Sequence, residues 1–102
     1  MTEAPTAALR QAVEGMHECR ATLREVAHVH EKFEGETVWE GDVAVFDLRD
    51  HPTARNAYAW SDPVPGSDRR RFYAVLHAGP VQSPADAVRA SILQSYRTAQ
   101  AE

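Results

Sequence analysis

Residues 22–48 read TLREVAHVHEKFEGETVWEGDVAVFDL, and their alternation decides the fold. From Thr22 the pattern has a period of two, with Leu23, Glu25, Ala27, Val29 and Glu31 on one side of an extended chain and Arg24, Val26, His28 and His30 on the other. Glu34-Gly35 is a tight-turn pair, because glycine accepts positive φ, so residues 37–48 should return as the hairpin partner. Gly41 suggests a bulge in that second strand. Beyond it, Val43-Ala44-Val45-Phe46 is apolar in both alternating sets, as in a strand covered on both faces.

Asp50-His51-Pro52 breaks this strand. Residues 57–60 and 71–77 form two further strands, separated by the proline-rich breaker region at residues 61–68. Upstream, Leu9, Ala12, Val13, Met16, Cys19 and Leu23 recur at steps of three and four, which predicts a helix over residues 6–20. Gly15 weakens that helix by about 1 kcal/mol relative to alanine, so it depends on docking and is expected to dock loosely. Downstream, Ser83-Pro84-Ala85-Asp86 has the form of a helix start, with a serine cap, proline in the first position and an acid in the first turn. Its packing stripe is Ala85, Val88, Ile92, Tyr96 and Ala99, flanked by Leu93.

Short connections favour an antiparallel meander in the order 1-2-3-4. The expected fold is therefore α+β, a four-stranded antiparallel meander with an N-terminal and a C-terminal helix packed on the sheet. Its 102 residues, 43% hydrophobic, fit one domain, with flexible ends at residues 1–5 and 100–102. The longest uncharged run, residues 78–85, contains Gly79, Pro80 and Pro84 and is too short to span a membrane. Residues 1–10 have no basic start or apolar centre of the secretory kind, which with the lone Cys19 leads to an expected cytoplasmic location. Ten arginines against the single Lys32, with abundant alanine, suggest a GC-rich bacterial genome.

The net charge of −4 and pI near 5.7 repel phosphate backbones, so nucleic acid is not an expected partner. The basic cluster at residues 69–71 reads as a solvated strand entrance. Five scattered glycines form no phosphate-binding loop, no serine occupies a nucleophile elbow, and Cys19 lies on a packing stripe. No cofactor is expected, and a non-enzymatic role is favoured over an enzymatic one.

His28-Val29-His30 is the most specific local pattern, since residues two apart on a strand present both imidazoles to one side. His77 on the fourth strand is a candidate third ligand, but a meander keeps its outer strands about 14 Å apart, and Glu25 and Glu31 fall on the opposite set. A metal or small-molecule site using His28, His30 and His77 is thus the alternative reading. Asp42, Asp47 and Asp50 surround the second strand, and Asp47 calls for a partner such as Arg49 or Arg55.

The favoured reading rests on aromatics. Tyr58 and Trp60 share one side of the third strand while Ala57 and Ala59 share the other, which implies two faces with different tasks. The alanines should face a helix. Tyr58 and Trp60, joined by Tyr73 or Phe72 and by Trp39, should then lie on a sheet face left open for binding. The expectation is an interaction or regulatory module that pairs with itself or with a protein partner through this face.

Overall fold

The structure is a computed structural model that describes residues 6–101, with only the helical backbone described over 96–101. Its elements are α1 (Thr6–His17), β1 (Arg20–Phe33), β2 (Glu36–Arg49), β3 (Asn56–Pro63), β4 (Arg70–Leu76) and α2 (Pro84–Ala101). The strands form one antiparallel sheet in the order β1-β2-β3-β4, so the α+β meander is observed as expected. Residues 1–5 and 102 of the expected loose ends lie outside the described residues, whereas 100 and 101 continue α2. Among the described residues no helix is long and apolar enough to cross a membrane.

α1 docks through Leu9 and Val13, both buried. It ends at His17, earlier than its periodicity suggests, because Glu18 takes a left-handed φ of 52°. Cys19 consequently packs from the connection to β1 rather than from a helical face. α2 begins as its sequence indicates: Ser83 Oγ accepts the Asp86 amide at 3.1 Å, and the Asp86 carboxylate reaches back to the Gln82 amide at 3.1 Å. Ser83→Ala should cost about 1 kcal/mol, with faster amide exchange confined to the first turns of α2; unchanged stability would contradict the cap. The stripe residues Tyr96 and Ala99 lie outside the described side chains.

Glu34 and Gly35 have φ of 53° and 83°, the paired positive values of a two-residue turn whose twist matches that of the strands it joins. The register carries two irregularities, one between Glu31 and Lys32, where Val38 is the extra residue on β2, and one between Leu23 and Glu25, where Arg24 is extra on β1. They lie on opposite strands and cancel. Arg24 shifts the alternation, so Leu23, opposite Phe46, shares a face with Val26, opposite Ala44, rather than with Val29. The bulge expected at Gly41 is absent, since Gly41 pairs regularly with Val29. Gly41 makes room instead, as a Cβ there would stand 3.0 Å from Cη2 of the Trp39 ring.

Each face of the sheet carries one helix. Ala44, Phe46, Ala57 and Ala59 pack with Leu9 and Val13 of α1, whereas Val29, Val43, Val45, Tyr58 and Trp60 pack with Ala87 and Val88 of α2 and with Val81. β2 is thus covered on both faces and the alanines do face a helix. β2 pairs with β3 only over Ala44 to Asp47, so the outer part of the β1-β2 hairpin departs from β3 and β4 as an arm. Trp39 bridges that divergence by donating its indole N–H to Asp62 at 3.0 Å. β3 runs on to Pro63, paired with Arg70, which shortens the connection expected at residues 61–68.

Candidate functional site

The expected open aromatic face is closed by α2. Trp60 is 2% exposed and Tyr58 4%, with the Trp60 ring stacked on Tyr73 at 5.1 Å and edge-on to Trp39 at 6.0 Å. The physical reason is size matching: α2 presents Ala87 and Val88 with Ala85 and Ala90 beside them, and this small-residue face accepts the bulky side chains of the sheet. Tyr58, Trp60, Tyr73 and Trp39 therefore belong to the core layer beneath α2 rather than to a free binding surface. Burial pushes the Tyr58 hydroxyl up from its ordinary pKa. That hydroxyl is 2.7 Å from Nδ1 of His77, which ties His77 to this layer and to the opposite sheet edge from His28.

His28 and His30 remain on one face of the arm, joined there by carboxylates of the neighbouring strand. His28 pairs across the hairpin with Asp42 and His30 with Glu40. The His28 ring meets Asp42 Oδ1 through Nδ1 at 2.9 Å and Glu40 Oε2 through Nε2 at 2.8 Å. His30 Nε2 lies 2.5 Å from the Thr37 hydroxyl and 3.9 Å from Glu40 Oε1. These groups bond to one another, and among the described residues no three His, Cys, Asp or Glu side chains are placed so that they could hold a metal ion.

The hydrogen bond to Asp42, then that to Glu40, raises the His28 pKa above its ordinary value, and the same contact with His28 lowers that of Glu40. A raised folded-state pKa means that the contribution of His28 to stability is complete below the unfolded value and is lost as pH rises through the folded one. An NMR titration should therefore place the His28 midpoint above 6.5, the ordinary value, and Asp42→Asn should bring it down. A midpoint at or below the ordinary value would contradict these contacts.

Of the remaining acidic candidates, Asp47 has structural partners. Asp47 is exposed, accepts from Asn56 Nδ2 at 2.8 Å and lies 3.8 Å from Arg24, not beside Arg49 or Arg55. Asp50 takes a left-handed φ of 64° after β2. Burial, together with Glu14 and Asp50, raises the Cys19 pKa, which keeps the thiol protonated and a poor nucleophile at neutral pH.

The feature that alternation missed is a cleft of about 650 Å³ between the arm tip and α2, lined by Glu31, Phe33, Val38, Arg89, Ile92 and Leu93. Arg89 closes one side by donating from Nε and Nη2 to the two Glu31 oxygens at 3.0 and 3.2 Å. Phe33, Val38 and Leu93 are 66%, 48% and 49% exposed, an apolar group beside polar neighbours. The available signal was Phe33 next to the turn and Leu93 off the α2 stripe, two apolar residues with no assigned cover. No family model matches this sequence, and no curated protein and no solved structure shows significant similarity to it.

Proposed function

We propose that the protein is a non-enzymatic interaction module that pairs with a second copy of itself through the cleft at the arm tip. The observation that carries this reading is the adjacency of a knob and a hole. Phe33, exposed next to the turn, forms one wall of the cleft that Val38, Ile92 and Leu93 also line, so an exposed aromatic and a concavity share one patch. A two-fold operation can seat the Phe33 of each copy in the cleft of the other, since an isologous contact uses the same patch twice. Lys32, Glu34 and Glu36 at the tip supply opposite charges for pairing around that contact.

Two further observations favour binding over catalysis. Among the described residues no charged side chain is buried, and the one buried hydroxyl, that of Tyr58, is pushed up in pKa by its burial. The one thiol is shifted away from reactivity. Light scattering tests the proposal: at about 100 μM the protein should show twice the 11.3 kDa chain mass. A monomer at that concentration would contradict self-pairing.

A further inference from the structure

We propose that the free edge of β1 between Glu25 and Glu31 is a docking surface for one extended segment of a partner protein, apolar toward Val26 and basic toward Glu25. The register decides which backbone groups are free. Leu48 donates its amide to the Arg55 carbonyl at 2.8 Å, so the even-numbered residues of β2 face β3, and the odd-numbered Val43 and Val45 face β1. Their partners Ala27 and Glu25 therefore turn inward, and Val26, His28 and His30 direct their amides and carbonyls away from the sheet. Pairing is regular from Glu25 to Glu31, so these groups stand in one uninterrupted row. Strand backbone in that geometry is matched by another extended backbone.

The two outer strands of the sheet are treated in opposite ways. β4 has 7 residues and opens with Arg70 and Arg71. His77 donates its amide to the Asn56 carbonyl at 2.9 Å, which turns Ala74 outward, and His17 Nε2 donates to that outward carbonyl at 2.8 Å. Short length, positive charge and a covering group are the means by which edges are protected from other strands. β1 has 14 residues, and its irregularities lie at the two ends of the regular run. Along that run Val26 is 49% exposed, and Leu23, on the same face, is 42% exposed.

The two faces of this edge define the occupant. Side chains directly opposite one another on paired strands share a face, so a residue set against Val26 meets an apolar side chain on the α1 face. Glu25 lies opposite Val45 on the α2 face, is exposed, and forms no ion pair among the described residues, whereas Glu31 is held by Arg89. A basic side chain set against Glu25 supplies the missing charge. A second copy fits this edge poorly. Antiparallel pairing of two β1 strands about the middle of the run sets Glu25 against Glu31, which leaves it without a cation, and sets the two His28 rings against each other. The complement is a segment that alternates apolar and basic residues.

The test uses the peptide acetyl-Lys-Val-Lys-Val-Lys-Val-Lys-amide, titrated into the full chain and followed by NMR. It should bind saturably and slow exchange of the Val26, His28 and His30 amides, but not of the outward-facing Phe72 and Leu76 amides on β4. A valine set against Val26 turns its own amide toward β1, and the lysines turn theirs away. N-methylation of the valines should therefore weaken binding roughly tenfold or more, whereas N-methylation of the lysines, at the same charge, should not. Val26→Pro removes a donor that β2 does not use, so circular dichroism should be unchanged while affinity falls roughly tenfold. Phe33→Asp should bind the peptide as the parent does, which separates this surface from the proposed self-pairing. Failure to saturate would overturn the proposal. Equal affinity for the two methylated peptides would also do so, by showing attraction to the net charge of −4 alone. Particles larger than two chains that Val26→Pro reduces to two would assign the edge to a second copy and overturn it as well.

Discussion

Trp60→Ala should destabilise the protein by about 3–5 kcal/mol, the cost of emptying a large aromatic site in a packed core. Trp60 is 2% exposed, stacked on Tyr73, edge-on to Trp39 and clustered with Val88 of α2. Its removal would open a cavity between the sheet and α2, and it would also loosen Trp39, which crosses to Asp62 where the β1-β2 arm leaves β3. A domain of this size has a total stability of about 5–15 kcal/mol, so the variant should stand near its unfolding limit. Trp60→Glu should not reach a folded state, because it buries a charge with no partner. Urea denaturation followed by circular dichroism provides the measurement, and a Trp60→Ala loss below about 1 kcal/mol would contradict the placement of Trp60 in the core.

The elements were legible because each carried a local signal. Glu34-Gly35 specified a turn with two positive φ values, and Ser83-Pro84-Ala85-Asp86 specified a cap that forms as expected. The apolar run over residues 43–46 correctly indicated cover on both faces. The bulges were not legible, since one extra residue leaves no mark of its own in a sequence. Gly41 drew attention to the wrong place, as its missing Cβ accommodates the Trp39 ring rather than a bulge.

That difference propagates to the histidines. With an uninterrupted two-residue hairpin, His28 would stand opposite Gly41 and His30 opposite Trp39; the extra residue at Val38 moves them opposite Asp42 and Glu40. The carboxylates missing from the His-x-His pattern were thus on the neighbouring strand, one residue out of reach of a simple register. Helix placement was hidden for another reason. An amphipathic stripe shows that α2 has a packing face but not which side of the sheet receives it. The large-and-small alternation of β3 described two different faces correctly, yet bulky residues fit a small-residue helix as well as they fit a partner.

The proposed pairing would use the arm tip, away from Trp60. Phe33→Asp places a charge on a residue that is 66% exposed in the monomer, so the folded chain should tolerate it within about 0.5 kcal/mol. In a reciprocal contact the same change acts twice, once in each cleft, and sets an unpaired carboxylate against Val38, Ile92 and Leu93. The expected result is a large loss of association with little loss of stability, the reverse of the Trp60 variants.

The most direct measurement is the light-scattering mass of the parent protein and of Phe33→Asp, each at about 100 μM, with circular dichroism confirming that both are folded. Pairing through the cleft predicts twice the 11.3 kDa chain mass for the parent and a single chain mass for the variant. A parent protein that is already monomeric, or a Phe33→Asp variant that stays dimeric, would contradict it.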